Sequence, residues 1–187
     1  MATRGELMSG AANKQLLRKV LPYFDVAEPD GKDMVMLFDE LMMETAQSDS
    51  LKGFYFNRGA ILQGWKDGRV HTFRYSYKEA GDPMRDQLYA AGLLKSSMSG
   101  ALITLPAFIY YEPDGPNTKI EFLWVREDCR RAGLASKLLE GLHSPHVPKA
   151  LPEAETFWRK VGIPFTLISE PSTSPAPAKK KKLSIAK

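Results

Sequence analysis

The chain has 187 residues, of which 43% are hydrophobic and 26% are charged. This composition can build the core of one ordinary domain, and it excludes a wholly disordered chain. No run approaches the ~20 apolar residues that a membrane helix needs. Lys14, Arg18 and Lys19 interrupt any signal-peptide core. We therefore expect no membrane association.

The positive charge is confined to one end of the sequence. Residues 170–187 hold five lysines and one glutamate, which accounts for the whole net charge of +4. A neutral body does not favour a nucleic-acid reader, which usually has a basic face. The Pro/Ser/Ala composition of this tail predicts disorder. Lys179–Lys182 fits a weak polyanion contact or a nuclear-import signal, and equally a solubilising tail.

Potential metal and thiol sites are sparse. Cys129 is the single cysteine, so an internal disulfide and a multi-cysteine zinc site are excluded. A cytoplasmic location is expected, or a nuclear one in a eukaryotic host. Cys129 is interpreted as an incidental thiol in preference to a nucleophile. His143 and His146 are three apart, but Pro145 separates them and no third ligand is evident, so we expect no metal.

In the first half, apolar residues recur at helical or alternating spacing. The predicted elements are a short helix at 11–21 ended by Pro22, a strand at 23–27, helices at 32–47 and 57–66, and a strand at 69–77. The second helix carries a stripe of Met34, Leu37, Phe38, Leu41 and Met42. A buried core face is favoured over an adaptable methionine-rich binding face.

The second half predicts an α+β fold. Its elements are a helix at 83–95, strands at 101–111 and 118–125, a helix at 133–142, a proline-rich irregular link, a helix at 152–161 and a strand at 165–169. Pro106 predicts a bulge or an edge, and the turn residues at 112–117 predict a hairpin. We expect an N-terminal arm and helix at 1–21, a domain at 22–169 and a tail at 170–187.

The segment from Ile120 to Glu140 carries the strongest functional signal. It reads as a strand, a polar loop and a helix that opens with small residues. The first amides of a helix lack internal acceptors, and Gly133 and Ala135 leave the backbone uncovered. With Arg130 and Arg131 alongside, this pattern indicates an anion site. The alternative is a plain strand–helix turn with two solvated arginines. No Gly-Lys-Ser/Thr follows, which disfavours a nucleoside triphosphate loop.

Arg130-x-x-Gly133-x-Ala135 resembles the Arg/Gln-x-x-Gly-x-Gly/Ala motif of the GNAT superfamily of acyl-CoA N-acyltransferases. Val125 stands five residues before Arg130, as the residue ending that family's fourth strand usually does. Residues 154–163, with Phe157, Trp158 and Gly162, resemble the family's last helix. The resemblance covers about residues 22–169. It implies a mixed, mostly antiparallel central sheet with splayed middle strands and flanking helices.

The resemblance implies an enzyme that moves an acetyl or other acyl group from acetyl-CoA to an amine, by direct attack in a ternary complex. The acceptor would be a small-molecule or protein amine, which no motif identifies. The diphosphate would lie on the loop amides and the pantetheine arm on the fourth strand. The cofactor-binding residues that it implies are Leu123, Trp124, Val125, Arg130, Arg131, Ala132, Gly133, Leu134, Ala135 and Ser136.

The catalytic residues are less well indicated. Alternation places Glu121 on the face of Leu123 and Val125, as a partly buried carboxylate that fits a general base. A surface or salt-bridged glutamate is the alternative. Tyr110 is a weaker candidate for a proton donor or substrate contact, as is its neighbour Tyr111. Trp158 replaces the tyrosine that often acts as general acid in the family, and an indole cannot do so. A non-catalytic acyl-CoA-binding or interaction module, or a viral-type nucleobase-modifying relative, therefore stays open.

Overall fold

A computed structural model of the chain describes residues 4–47, 57–75, 82–93, 95–96 and 103–168. The helices are α1 (Arg4–Val20), α2 (Gly31–Gln47), α3 (Arg58–Lys66), α4 (Asp82–Ala90), α5 (Leu134–Leu139) and α6 (Glu155–Val161). The strands are β1 (Phe24–Ala27), β2 (Val70–Tyr75), β3 (Lys95–Ser96), β4 (Ile103–Thr104), β5 (Ala107–Asp114), β6 (Asn117–Val125), β7 (Pro145–Ala150) and β8 (Phe165–Leu167). The predicted tail lies outside the described residues.

The described strands form a mixed sheet of six strands in the order β1-β2-β5-β6-β7-β8, and β3 pairs separately with β4. Neighbours are antiparallel from β1 to β6, whereas β7 and β8 continue the sheet in parallel. The α+β class expected from the sequence is therefore confirmed. No helix among the described segments has the length and apolar character needed to cross a membrane.

Two apolar clusters cover the opposite faces of the sheet. Neighbouring residues of β5 point to opposite faces, and accordingly Ile109 belongs to one cluster and Phe108 to the other. The Ile109 cluster receives side chains from α1, α4, α5 and α6, including the fully buried Leu17 and Val20 of α1. The Phe108 cluster is covered by α2 and α3. The N-terminal helix thus packs on the sheet as part of the core.

Helix α2 begins at a reciprocal cap. The Asp30 carboxylate accepts the amide of Asp33 at 2.8 Å, and the Asp33 carboxylate accepts the amide of Asp30 at 3.2 Å. These bonds satisfy donors that the first helical turn leaves free. The core stripe is confirmed for its first four members, which are buried. The prediction was wrong for Met42, which is 49% exposed, because the helix turns it past the edge of the sheet.

Prolines account for several differences from the predicted elements. Pro106 separates β4 from β5, so the predicted strand 101–111 is divided between two sheets. Proline lacks the amide that a continuous ladder needs at that point. The predicted hairpin of this region with β6 is confirmed for β5. The link containing Pro145 and Pro148 forms β7, which shows that proline is tolerated where the ladder is short.

Helix ends differ most from expectation. Helix α1 begins at Arg4, seven residues before the predicted start, and ends at Val20 as expected from Pro22. The predicted helix 83–95 ends at Ala90 and is followed by a turn with Gly92 at a φ of 65°. Helix α5 has only six residues, because Gly141 and the residues before it turn the chain towards β7.

Candidate ligand-binding site at the end of β6

A loop joins β6 to α5. The 3₁₀ turn Glu127–Cys129 comes first, and residues 130–133 then lead into the helix. Arg131 has a φ of 66° and Gly133 a φ of 97°, so two of these four residues are left-handed. Ala132 and Leu134 are buried, and this anchors the loop backbone on the Ile109 cluster. The backbone is therefore held in one shape and turned towards solvent at Arg131 and Gly133.

Consecutive backbone amides in this loop have no acceptor among the described residues. The amide of Arg130 donates to the Glu127 carbonyl at 3.3 Å, and that of Lys137 donates to the Gly133 carbonyl at 3.0 Å. Between them, the amides of residues 131–136 donate to no acceptor in the part of the chain that the structure describes. The sequence predicted this feature from Gly133 and Ala135. A run of free donors is a suitable site for an anion.

The strands β6 and β7 stop pairing well before the same loop. They pair in parallel at Thr118–Pro145 and Lys119–His146. Among the described residues, no ladder pair joins β6 to β7 beyond that point, whereas Ala150 still pairs with Leu167 of β8 on its other side. A gap in the pairing ladder is therefore left between the second half of β6 and β7.

Backbone groups of β6 face this gap. The Arg126 amide donates to the Pro106 carbonyl at 2.9 Å, towards β5. The Val125 carbonyl, in the same planar peptide, must point the opposite way, towards β7. Alternation along the strand then turns the amide and carbonyl of Leu123 to that side as well. The amide and carbonyl of Leu123, with the amide of Val125, thus present the backbone that an extended, amide-containing ligand could pair with.

Arg130 is bound within the protein and does not extend freely over the loop. Its Nε donates to the Val125 carbonyl at 2.9 Å, and its Nη2 pairs with the Glu44 carboxylate of α2. Glu44 also accepts the Trp124 indole N–H at 2.8 Å. Of the implied cofactor residues, Trp124 is buried against α2 and Arg130 covers the strand end. Sequence reasoning missed Glu44, whose only signal was a second acid four residues after Glu40.

Arg126 fixes the start of the loop. It binds Asp128 through two bonds of 2.7 and 3.0 Å, Glu40 at 3.3 Å and the Gly92 carbonyl at 3.1 Å. Burial alone would raise the pKa of Asp128, but the hydrogen bonds and charge of Arg126 hold it below its usual range. Glu40 of α2 therefore holds Arg126 before the 3₁₀ turn, and Glu44 of α2 holds Arg130 after it.

The end of α1 supports the loop from the other side. Arg18 Nη2 donates to the Arg131 carbonyl at 2.9 Å, and Lys137 Nζ donates to the Leu21 carbonyl at 2.8 Å. A Cβ added to Gly133 would lie 3.3 Å from the Leu21 side chain. Ser136 is exposed on the first turn of α5, and Ala135 is half-buried beside it.

Glu121 lies in a β-bulge. The register passes from Tyr110–Phe122 to Tyr111–Ile120, so Glu121 is the extra residue of β6. Ile120, Leu123 and Val125 contact the Ile109 cluster, whereas Phe122 contacts the Phe108 cluster. The bulge interrupts the alternation on which the expected face of Glu121 rests, so its sharing the face of Leu123 and Val125 stays a prediction.

The Glu121 carboxylate has a cationic neighbour. The residue as a whole is exposed, its side chain is 32% exposed, and its carboxylate lies 2.5 Å from Lys119 Nζ. This is the salt-bridged arrangement that the sequence left as the alternative. Its role as a base stays a prediction.

The two tyrosines of β5 are both engaged. Tyr110 is 6% exposed, and its hydroxyl donates to the Glu112 carboxylate. Burial, the bond to Glu112 and nearby carboxylates, including Glu121, raise its pKa well above the usual range. The Tyr111 hydroxyl lies 3.2 Å from His71 Nε2, and burial raises its pKa too. Both phenols are therefore held neutral as hydrogen-bonding groups.

Other candidate residues have structural surroundings. Cys129 is fully buried, and burial together with the Asp128 charge raises the pKa of its thiol to about 12. Trp158 is buried in the Ile109 cluster. His143 Nδ1 lies 2.9 Å from the Pro116 carbonyl and His146 Nε2 lies 3.2 Å from Asp114. Within the described segments, no group of three His, Cys, Asp or Glu side chains could hold a metal.

A cavity of about 510 Å³ lies at the opposite end of β6. Its walls include Asp114, Ser144, His146 and Ile163, at the end where β6 and β7 are still paired. It is therefore separate from the gap and the loop.

Comparison of the chain with protein-family models, curated proteins and solved structures found no match.

Proposed function

We propose that this chain is an N-acyltransferase of the GNAT type, which moves an acetyl or other acyl group from acetyl-CoA to an amine. The observation that carries the proposal is the end of β6–β7 pairing after Lys119–His146, beside a loop with free amides. An acyl-CoA has an anionic diphosphate joined to an extended arm that contains amides. The loop suits the first part and the exposed edge of β6 suits the second.

The residues present fit this cofactor. The amides of residues 131–136 would hold the diphosphate, because free donors favour negative charge. The amide and carbonyl of Leu123 would pair with the arm as a neighbouring strand would. When bound, acetyl-CoA would supply an activated thioester carbonyl. The chain's own contribution would be to orient that carbonyl beside the bulge.

Glu121 is the candidate base of this proposal. An amine must lose a proton to act as a nucleophile, and a carboxylate within hydrogen-bond reach can accept it. The bulge presents Glu121 at the surface of β6, two residues beyond the last pair with β7 at Lys119. The bond to Lys119 would have to give way when a cationic acceptor approaches.

A non-catalytic acyl-CoA-binding module is the second candidate. The pairing of Glu121 with Lys119 favours it, since a carboxylate neutralised by a lysine is a poorer proton acceptor. The burial of Trp158 favours it further, because an indole at that place supplies no acid. Both candidates need the same cofactor site and differ only in turnover.

Calorimetric titration with acetyl-CoA tests the shared site. Wild-type protein should bind, and Gly133→Glu should not, because it adds bulk and negative charge among the loop amides. Gly141→Glu is the matched control: it adds the same charge at a left-handed glycine with open space around it. Failure of wild type to bind would reject both candidates. Turnover of labelled acetyl-CoA with a panel of amines would then separate enzyme from binding module.

A further inference from the structure

The Glu44 carboxylate connects the strand and the loop of the proposed site. One oxygen accepts the Trp124 indole N–H at 2.8 Å, and the other pairs with the Arg130 guanidinium. The side chain is only 9% exposed, although it carries a charge. Buried carboxylates need such partners. Trp124 lies near the end of β6, and Arg130 is the residue that opens the loop.

Arg130 in turn covers the end of the open strand. Its Nε donates to the Val125 carbonyl, which faces the gap between β6 and β7. The arginine therefore takes the place of a missing strand partner at this one carbonyl. The amide and carbonyl of Leu123, two residues back along β6, face the same side, and no residue of β7 in the described part of the chain pairs with them.

Burial disfavours the ionised form of Glu44. Burial raises the pKa of the Glu44 carboxyl, Arg130 and the Trp124 hydrogen bond oppose the shift, and Glu127 and Asp128 add to it. A carboxyl whose pKa is higher in the folded than in the unfolded chain binds more protons when folded. Its ionised form therefore lowers the free energy of unfolding as the pH rises through that interval. A charge kept at such a cost often serves a site.

We propose that Glu44 is a positioning residue of the acyl-CoA site. It holds Arg130 in its hydrogen bond to the Val125 carbonyl. Because that carbonyl is then occupied, the ligand arm is directed to the amide and carbonyl of Leu123. Arg130 thus acts on the strand edge and not as a phosphate ligand. This inference deepens the proposed function and rests on it, although the Glu44–Arg130 contact itself can be tested without ligand.

Trypsin tests the contact in the free protein. Cleavage after Arg130 needs its guanidinium in the protease pocket, whereas cleavage after the neighbouring Arg131 does not. Glu44→Gln should raise cleavage after Arg130 several-fold relative to cleavage after Arg131, as measured by mass spectrometry. Asp39→Asn, which removes a charge from an exposed position of α2, should leave the ratio unchanged. An unchanged ratio in Glu44→Gln would overturn the proposal.

Affinity for acetyl-CoA tests the role. Glu44→Gln and Arg130→Ala should each weaken binding by about five- to tenfold, and the double variant should be no weaker than Arg130→Ala, because Glu44 acts through Arg130. Fully additive losses would overturn the proposal. If wild type binds no acetyl-CoA but Glu44→Gln still frees Arg130 for cleavage, the proposed function fails and the positioning of Arg130 stands.

The pH dependence gives a third readout. As the pH falls from neutrality into the ordinary carboxyl range, Glu44 should take up a proton before an ordinary carboxyl would, because its pKa is raised, and the pair with Arg130 should weaken. Wild-type affinity should therefore decline towards that of Glu44→Gln. Because glutamine does not titrate, the pH dependence of Glu44→Gln measures the contribution of ligand protonation, which is subtracted from that of the wild type. A constant difference between the two proteins over this range would contradict the proposal.

Discussion

The Arg18 guanidinium donates a hydrogen bond of 2.9 Å to the Arg131 carbonyl, which lies 113 residues later in the sequence. Arg131 is left-handed with a φ of 66°, a conformation that costs a non-glycine residue about 1–2 kcal/mol. The bond from α1 offsets part of this cost. It also fixes the peptide that carries the Ala132 amide, the second in the run of free amides.

Arg18→Ala should therefore weaken acetyl-CoA binding by about 1 kcal/mol, the usual contribution of one hydrogen bond. Lys19→Ala is the matched control, because it removes the same charge from the next, exposed position of α1. Calorimetry at moderate salt measures both. Equal losses in the two variants would show that the long-range charge of α1 matters and the bond to Arg131 does not.

A second prediction separates strain from function at two left-handed glycines. Gly133→Ala and Gly141→Ala should each lower the free energy of unfolding by about 1–2 kcal/mol, since φ is 97° and 87°. Only Gly133→Ala should also weaken acetyl-CoA binding, because its Cβ presses on Leu21 and displaces the loop. Denaturant unfolding and calorimetry measure the two effects. Equal binding by both variants would count against the loop as the site.

Local sequence patterns located most helices and strands, and they also located the loop. The end of the last helix before Gly162 and the turn after Asp114 are each determined within a few residues, so they could be read directly. The small residues Gly133 and Ala135 likewise indicated the free amides. These features depend on backbone chemistry close in the chain.

Features that depend on distant contacts could not be read. The bulge at Glu121 depends on the register of β6 against Tyr110 and Tyr111, and the run Ile-Glu-Phe-Leu alternates equally well without it. Glu44 meets Arg130 across 86 residues, and nothing in α2 specifies that partner. The six-residue β7 was read as an irregular link because two prolines interrupt its pattern.

A third prediction concerns the contact between α3 and β5. A Cβ on Gly64 would overlap the Tyr110 ring, whose hydroxyl is bound to Glu112 and so cannot swing away freely. Gly64→Ala should lower the free energy of unfolding by about 1–3 kcal/mol through overpacking. Gly10→Ala, in α1 with open space around it, should raise it by up to about 1 kcal/mol. Stabilisation by Gly64→Ala would show that α3 shifts easily.

A fourth prediction concerns the lysine-rich tail. The Pro, Ser, Ala and Lys residues of 172–187 cannot bury an apolar core. Deleting them should leave the melting temperature within about one or two degrees, because the change in stability is close to zero. Differential scanning calorimetry of the full and shortened chains measures this. A fall of about ten degrees would mean that the tail packs on the domain.

The last prediction concerns Glu121 in the chemical step. Glu121→Gln keeps the shape of the side chain and removes the proton acceptor, so kcat should fall by roughly 10²- to 10⁴-fold. Affinity for acetyl-CoA should change little, because the bulge lies several residues from the loop. The loss should shrink at high pH, where the acceptor amine deprotonates unaided.

Lys119→Ala is the companion variant for Glu121, because it removes the cation 2.5 Å from the carboxylate. If that pair is broken when the acceptor binds, Lys119→Ala should keep kcat or raise it. A large loss in Lys119→Ala would instead mean that the lysine contributes to the site. Full kcat in Glu121→Gln at pH 7 would place the base elsewhere or leave the task to water. Loss of acetyl-CoA binding in Glu121→Gln would show that the carboxylate maintains the bulge, since a base for the amine has no part in holding the cofactor.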